Sequence, residues 1–103
     1  MIRAEFIESK GLKVGFKISG HAGYADSGSD IVCAAVSSAV QLTANTLELF
    51  GCKTKVTVGN NIVKCISATA DEITERLVSS LMLHLEAVSE DYPNTIKITI
   101  SEV

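Results

Sequence analysis

Apolar and polar residues alternate at the start of the chain. Ile2, Ala4 and Phe6 share one parity, with Arg3 and Glu5 on the other. After Ser9-Lys10-Gly11, the residues Leu12, Val14, Phe16 and Ile18 alternate with Lys13, Gly15, Lys17 and Ser19. A period of two with one polar set marks a strand that buries a single face, and the short break predicts a hairpin. The pattern returns at Thr54, Val56 and Val58, which alternate with Lys53, Lys55 and Thr57. Gly59-Asn60-Asn61 predicts a second tight turn, because Gly and Asn accept positive φ at little cost. Ile62–Ile66 is the return strand, and Ile96, Ile98 and Ile100 form a last one.

Two stretches between these strands have helical spacing. Ser29 and Asp30 offer N-cap chemistry for a helix running to about Phe50, with Gly51 as its C-cap. Its first four turns are small and apolar nearly all round, through Ile31, Val32, Ala34, Ala35, Val36, Ala39, Val40 and Leu42. A helix covering one side of a sheet needs one apolar stripe. The excess predicts burial on a second side, by a loop, another helix or a second subunit. Thr69-Ala70-Asp71-Glu72 reads as a capping box, T-x-x-E. Ile73, Leu77, Leu81, Leu85 and Val88 then recur at helical spacing until Tyr92-Pro93-Asn94. The order β-β-α-β-β-α-β predicts an α+β two-layer sandwich, with two helices packed on a mostly antiparallel sheet.

Composition narrows the class. The chain has 103 residues, 47% hydrophobic and 20% charged, with one proline. That suits a single folded domain over 1–103 and excludes a low-complexity chain. Nine Lys+Arg against twelve Asp+Glu give −3. No basic tract exceeds a pair such as Lys53/Lys55, so direct nucleic-acid binding is not expected. Glu5 stands where a signal peptide needs its apolar core. The uncharged run Ile31–Leu47 holds several polar residues and falls short of the roughly 20 apolar residues that span a bilayer. Cys33, Cys52 and Cys65 are odd in number and lack a C-x-x-C pair, which favours a reducing, cytoplasmic setting over a disulfide framework. The ligand spacing of a structural zinc site is missing.

Candidate chemistry gathers in one segment. Gly20 to Ser29 has no periodicity and carries Gly20, Gly23 and Gly28, which predicts a mobile loop. His21 stands at the mouth of that loop, just after a strand. Cys33 falls in the first turn of the predicted helix, where the dipole and unpaired N–H groups favour a thiolate. An imidazole in reach of that thiol completes a nucleophile–base pair. First-turn amides would be donors for an oxyanion. Asp30 could cap the helix, orient His21, or both. Against this stands the ordinary reading, in which a Cys on an apolar helix is a small core residue. Cys52 and Cys65 are read that way. His84 falls on or beside the apolar stripe of the second helix and is read as a packed or partly exposed histidine, without a catalytic or metal role.

The run G-H-A-G-Y-A…G-S-D-I-V-C-A-A-V-S, from Gly20 to Ser37, resembles the signature of the ribosomal-processing cysteine protease family Prp. The resemblance extends over the whole chain in length and element order. It implies a catalytic dyad of His21 and Cys33, with Asp30 supporting. Read from the residues themselves, the loop beside the substrate is Gly20, Gly23, Tyr24 and Gly28, with Gly23 and Gly28 giving it freedom to close over a peptide. The resemblance further implies a cytoplasmic homodimer without metal or other cofactor. The implied substrate is a precursor of the large-subunit ribosomal protein numbered twenty-seven, cut after bulky apolar residues to remove an N-terminal extension. The alternative reading is a non-catalytic dimeric module that binds a ribosomal protein or RNA.

Overall fold

The first strand pair forms where alternation predicts it. β1 (Ile2–Ser9) and β2 (Leu12–Ser19) pair antiparallel. Lys10 and Gly11 between them have φ of 56° and 79°, so both turn residues are left-handed, as a two-residue hairpin requires. The computed structural model describes residues 1–20 and 27–103, and the backbone alone over 27–30. The further elements are α1 (Ser27–Leu49), β3 (Thr54–Gly59), β4 (Ile62–Ser67), α2 (Glu72–Asp91) and β5 (Ile96–Glu102). The sheet order is β3-β4-β2-β1-β5, antiparallel except for the parallel β1–β5 pair. This is the α+β sandwich that the sequence order predicts. Among the described residues no helix is long and apolar enough to cross a membrane.

Register sorts the side chains into two faces. Ala4 pairs with Ile18, and Phe6 with Phe16, which in turn pairs with Cys65. These residues meet Val32, Val36, Val40 and Leu47 of α1 and Val78, Leu81 and Leu85 of α2 in one core. Both helices therefore lie on the same side of the sheet. Burying a side chain of this size contributes about 1.5–3 kcal/mol. Gly15 sits where no side chain fits: a Cβ there would lie 2.3 Å from the Cys65 carbonyl oxygen.

Helix ends depart from expectation in two places. α1 begins at Ser27, ahead of the predicted Ser29/Asp30 cap. Ser27, Ser29 and Asp30 are all cap-forming residue types, so local sequence alone does not choose among them. Its C-terminus is as predicted: Gly51 has φ of 78°, and the amides of Gly51 and Cys52 bond back to Glu48 and Leu47, both at 3.0 Å. α2 is capped by Asp71 and not by Thr69. The Asp71 carboxylate accepts from the Thr74 amide at 2.8 Å, and the Thr69 hydroxyl donates to the same carboxylate at 3.1 Å. The buried stripe of α2 is accordingly Thr74, Val78, Leu81 and Leu85, while Ile73 is exposed.

The Thr74 amide, followed by the hydroxyls of Thr74 and Thr69, holds the Asp71 carboxyl below its ordinary value. Its contribution to stability is then present above the ordinary aspartate range and lost as pH falls through the lowered value. Asp71→Ala is expected to lower the melting temperature at pH 6 by several degrees, and Asp71→Asn, which keeps an acceptor, by less. The gap between wild type and Asp71→Asn should shrink when melts are repeated at pH 3. An unchanged gap would contradict the cap's ionic character.

Candidate active site

Strand β2 ends at Ser19, and Gly20 is the first residue past it. Gly20 has φ of 84°, a conformation that L side chains rarely adopt. Its amide donates to the Asn61 carbonyl at 3.1 Å. A Cβ at Gly20 would fall 2.7 Å from the Met1 carbonyl oxygen. The exit of β2 is thus held between the start of β1 and the turn of the β3–β4 hairpin.

Cys33 faces this exit. It is half-buried and packs against the core. It lines a cleft of about 320 Å³ together with Ile2, Ile18, Gly20, Val36 and Ile62. Ser37, one helical turn beyond Cys33, and Asn61 add polar groups to the lining. The cleft is therefore apolar along its walls and brings the residue preceding His21 to the same space as the thiol. His21, Gly23 and Tyr24 lie outside the described residues. Gly28 and Asp30 fall in the opening turn of α1, where only the backbone is described.

The earlier start of α1 changes the electrostatics. Cys33 lies in the second helical turn and not the first. The amides without an intrahelical acceptor belong to the first four residues, and Cys33 lies about 9 Å along the axis from Ser27. The dipole effect fades beyond the first turn. Helix-end activation of Cys33, and an oxyanion bond from its amide, are thus weaker arguments than the sequence implied.

The other sulfurs and the second histidine stand apart. Cys65 is fully buried, and burial pushes its thiol above the ordinary value. Cys52, beyond the α1 cap, accepts from the Thr74 hydroxyl at 3.3 Å and ties α1 to α2. His84 is exposed on α2, beside a different cavity that it shares with Leu42 and Leu81. Among the described residues no group of three His, Cys, Asp or Glu side chains could hold a metal ion.

The sequence reading missed the part played by the β3–β4 turn. Gly59 and Asn61 reach the cleft because β4 pairs with β2 in the register Ser19↔Ile62. Turn-type residues announce the turn, but nothing local announces which strand end it will face.

The chain resembles known proteins over nearly its full length. The family model described as "Cysteine protease Prp" matches residues 1–97. The ribosomal processing cysteine protease Prp of Bacillus subtilis is 27% identical over 109 residues, with 96% of each chain covered. The crystal structure of SMU.848 from Streptococcus mutans superposes with a TM-score of 0.84 at 30% identity, covering 100% of this chain and 96% of that one. The ribosomal processing protease Prp from S. aureus, in complex with a covalently linked product peptide, superposes with a TM-score of 0.87 at 18% identity. That match covers 98% of this chain and 100% of that one.

Gly20 and Gly11 offer a matched test of how the cleft is held. Both have positive φ, but nothing lies within 4 Å of a Cβ at Gly11. Gly11→Ala is expected to cost about 1–2 kcal/mol for its left-handed backbone. Gly20→Ala should cost distinctly more, because Met1 must also move. Denaturant unfolding of the two variants decides this, and equal losses would show that the approach of Met1 does not constrain the site.

Proposed function

The chain belongs to the cysteine protease Prp family, and on that premise we propose that it processes a ribosomal-protein precursor through an acyl-enzyme on Cys33. The observation that carries this reading is the position of Cys33, a half-buried thiol on the wall of an apolar cleft that Gly20 also lines. Peptide-bound chain passes from Gly20 straight into His21, the base in this reading.

His21 takes the thiol proton as Sγ of Cys33 attacks the scissile carbonyl carbon. The tetrahedral adduct collapses to a thioester, and the C–N bond breaks as His21 returns the proton to the leaving amine. Water then attacks the thioester, with His21 accepting its proton, and the thiol is restored. Asp30 orients the imidazole. The segment of Gly23, Tyr24 and Gly28 lies over the bound peptide. With Cys33 set back from the helix end, His21 carries the burden of activating it.

The substrate in this reading is the precursor of the large-subunit ribosomal protein numbered twenty-seven. Bulky apolar residues before its cut suit walls of Ile2, Ile18, Val36 and Ile62. Residues 1–103 act as one protease domain in the cytoplasm, without a cofactor.

A homodimer accounts for the apolar surface left over on the helix side. Ile31 and Leu42 of α1 are 53% and 68% exposed. Val56 and Val58, on the inner face of edge strand β3, are uncovered as well. A second copy is one of the three covers the sequence suggested, and in this reading it is the one that packs on these residues.

Two measurements test the reading. A synthetic peptide bearing the extended N-terminus of the ribosomal protein should be cut once, after its apolar stretch, as read by mass spectrometry. Cys33→Ala should abolish cleavage, and His21→Ala should lower kcat/KM by about 10²–10⁴-fold. Cleavage that survives in Cys33→Ala would remove the nucleophile from the scheme. Separately, sedimentation at micromolar concentration should give the mass of two chains, and a monomer would refute the dimer.

A further inference from the structure

The sheet has a second face, and its chemistry differs from the rest of the molecule. Side chains of the parity opposite to the core run across it in register. Arg3 pairs with Lys97 on one side and Ser19 on the other. Glu5 pairs with Lys17, which pairs with Lys64, which pairs with Thr57. Lys55 lies on the same face, opposite Ile66. Arg3, Lys55, Lys64 and Lys97 are exposed, and Lys17 is half-buried. Five cations thus stand against Glu5 alone, which already accepts a hydrogen bond from Ser101 at 2.6 Å.

The remaining charge is sorted the other way. α2, on the far layer, carries Glu72, Glu75, Glu86, Glu90 and Asp91 against Arg76. The net charge of −3 therefore hides a sheet face and a helix of opposite sign, whose charges cancel in the sum. Among the described residues none of the five face cations is in an ion pair, whereas Lys13 and Arg76 on the helix side both are. Two shallow depressions lie on the basic face. One is lined by Arg3, Lys17 and Lys97 with Glu5, the other by Lys53, Lys55 and Lys64 without a carboxylate.

We propose that this open sheet face docks on the sugar-phosphate backbone of RNA. Neighbouring strands lie about 4.8 Å apart and alternate residues about 7 Å apart, so the cations form a grid and not a single point charge. Unpaired cations on a rigid sheet bind a polyanion by releasing its counterions. The hydroxyls of Ser19, Thr57 and Thr99 stand among them as further phosphate donors. Among the described residues the face has no aromatic side chain, and so no platform on which bases stack. Recognition is therefore of backbone, with little dependence on sequence. The choice of RNA over an acidic protein rests on the proposed substrate: ribosomal proteins are handled together with RNA, which is the anion at hand. The cleft opens at the end of the sheet beside Gly20 and shares Ser19 with the depression of Arg3, Lys17 and Lys97, so RNA on that depression borders the cleft.

The test uses the full chain and a fluorescein-labelled RNA hairpin of arbitrary sequence, read by anisotropy at 50 and 200 mM KCl. Wild type should bind at 50 mM KCl and weaken steeply at 200 mM. Lys17→Gln/Lys64→Gln should weaken binding at least tenfold and lower the log–log salt slope by about 1–2. Lys10→Gln/Arg76→Gln, which removes the same charge off the face, should stay within about twofold of wild type. No binding at 50 mM KCl, or equal loss in the two variants, would overturn the proposal. So would polyglutamate competing as well as RNA at equal charge, which would assign the face to an acidic protein. Cleavage of the short apolar peptide should be the same in Lys17→Gln/Lys64→Gln as in wild type, showing an intact fold. Failure of wild type to cut that peptide would count against the protease scheme while leaving the RNA measurement standing.

Discussion

Strand β2 and the residue just past its end hold two positions at which a side chain cannot be placed, and both the sheet and the cleft are arranged around them. At Gly15 the gap is filled by the carbonyl of Cys65, which draws β4 against β2. At Gly20 the gap is filled by the carbonyl of Met1, while Asn61 of the β3–β4 turn accepts the Gly20 amide. The first approach joins the two hairpins into one sheet. The second fixes where the chain leaves that sheet, at the edge of the cleft that holds Cys33. A rigid exit from a central strand is a sound support for a catalytic group, because the strand cannot shift without breaking two ladders.

The two-layer architecture leaves an imbalance. Among the described residues, two helices cover the middle of a five-stranded sheet and leave apolar side chains of the inner face exposed at both edges. Val56 and Val58 on β3 and Ile100 on β5 are exposed although their parity faces inward. A groove of about 410 Å³, lined by Val40, Ala44, Val56, Val58 and Val63, runs between α1 and the β3–β4 hairpin. It shares Ser37 and Val63 with the cleft at Cys33. Whatever covers this groove therefore also bounds the site, and a partner subunit there would couple assembly to the shape of the cleft.

Much of this was legible in the sequence, because it rests on periodicity. The period of two along Ile2–Phe6 and Leu12–Ile18 fixes both strands and their buried face, and Gly51 announces the end of α1. Helix starts were harder. Ser27, Ser29 and Asp30 compete as caps, as do Thr69 and Asp71, and the winner depends on which carboxylate or hydroxyl reaches an amide in three dimensions. The small shift at Ser27 matters, because it moves Cys33 out of the first turn. The meeting of Gly20, Asn61 and Cys33 at one cleft was out of reach for a different reason. It depends on strand order, which brings residues 20 and 61 together through the pairing of β2 with β4.

Net charge was the least informative quantity of all. A sum of −3 argues against a polyanion only if charge is spread evenly, and the fold does not spread it evenly. In a strand, residues of one parity share a face, so Arg3, Lys17, Lys55, Lys64 and Lys97 gather once the strands are aligned. On α2 the acids fall on the solvent side of a helix whose other side is in the core. Burial thus does two things at once: it selects the apolar parity for the interior and, by exclusion, collects the cations on the opposite side. A polyanion meets the sheet face and not the acidic outer side of α2. The same division into core and solvent faces that stabilises the sandwich gives its two sides opposite electrostatic preferences.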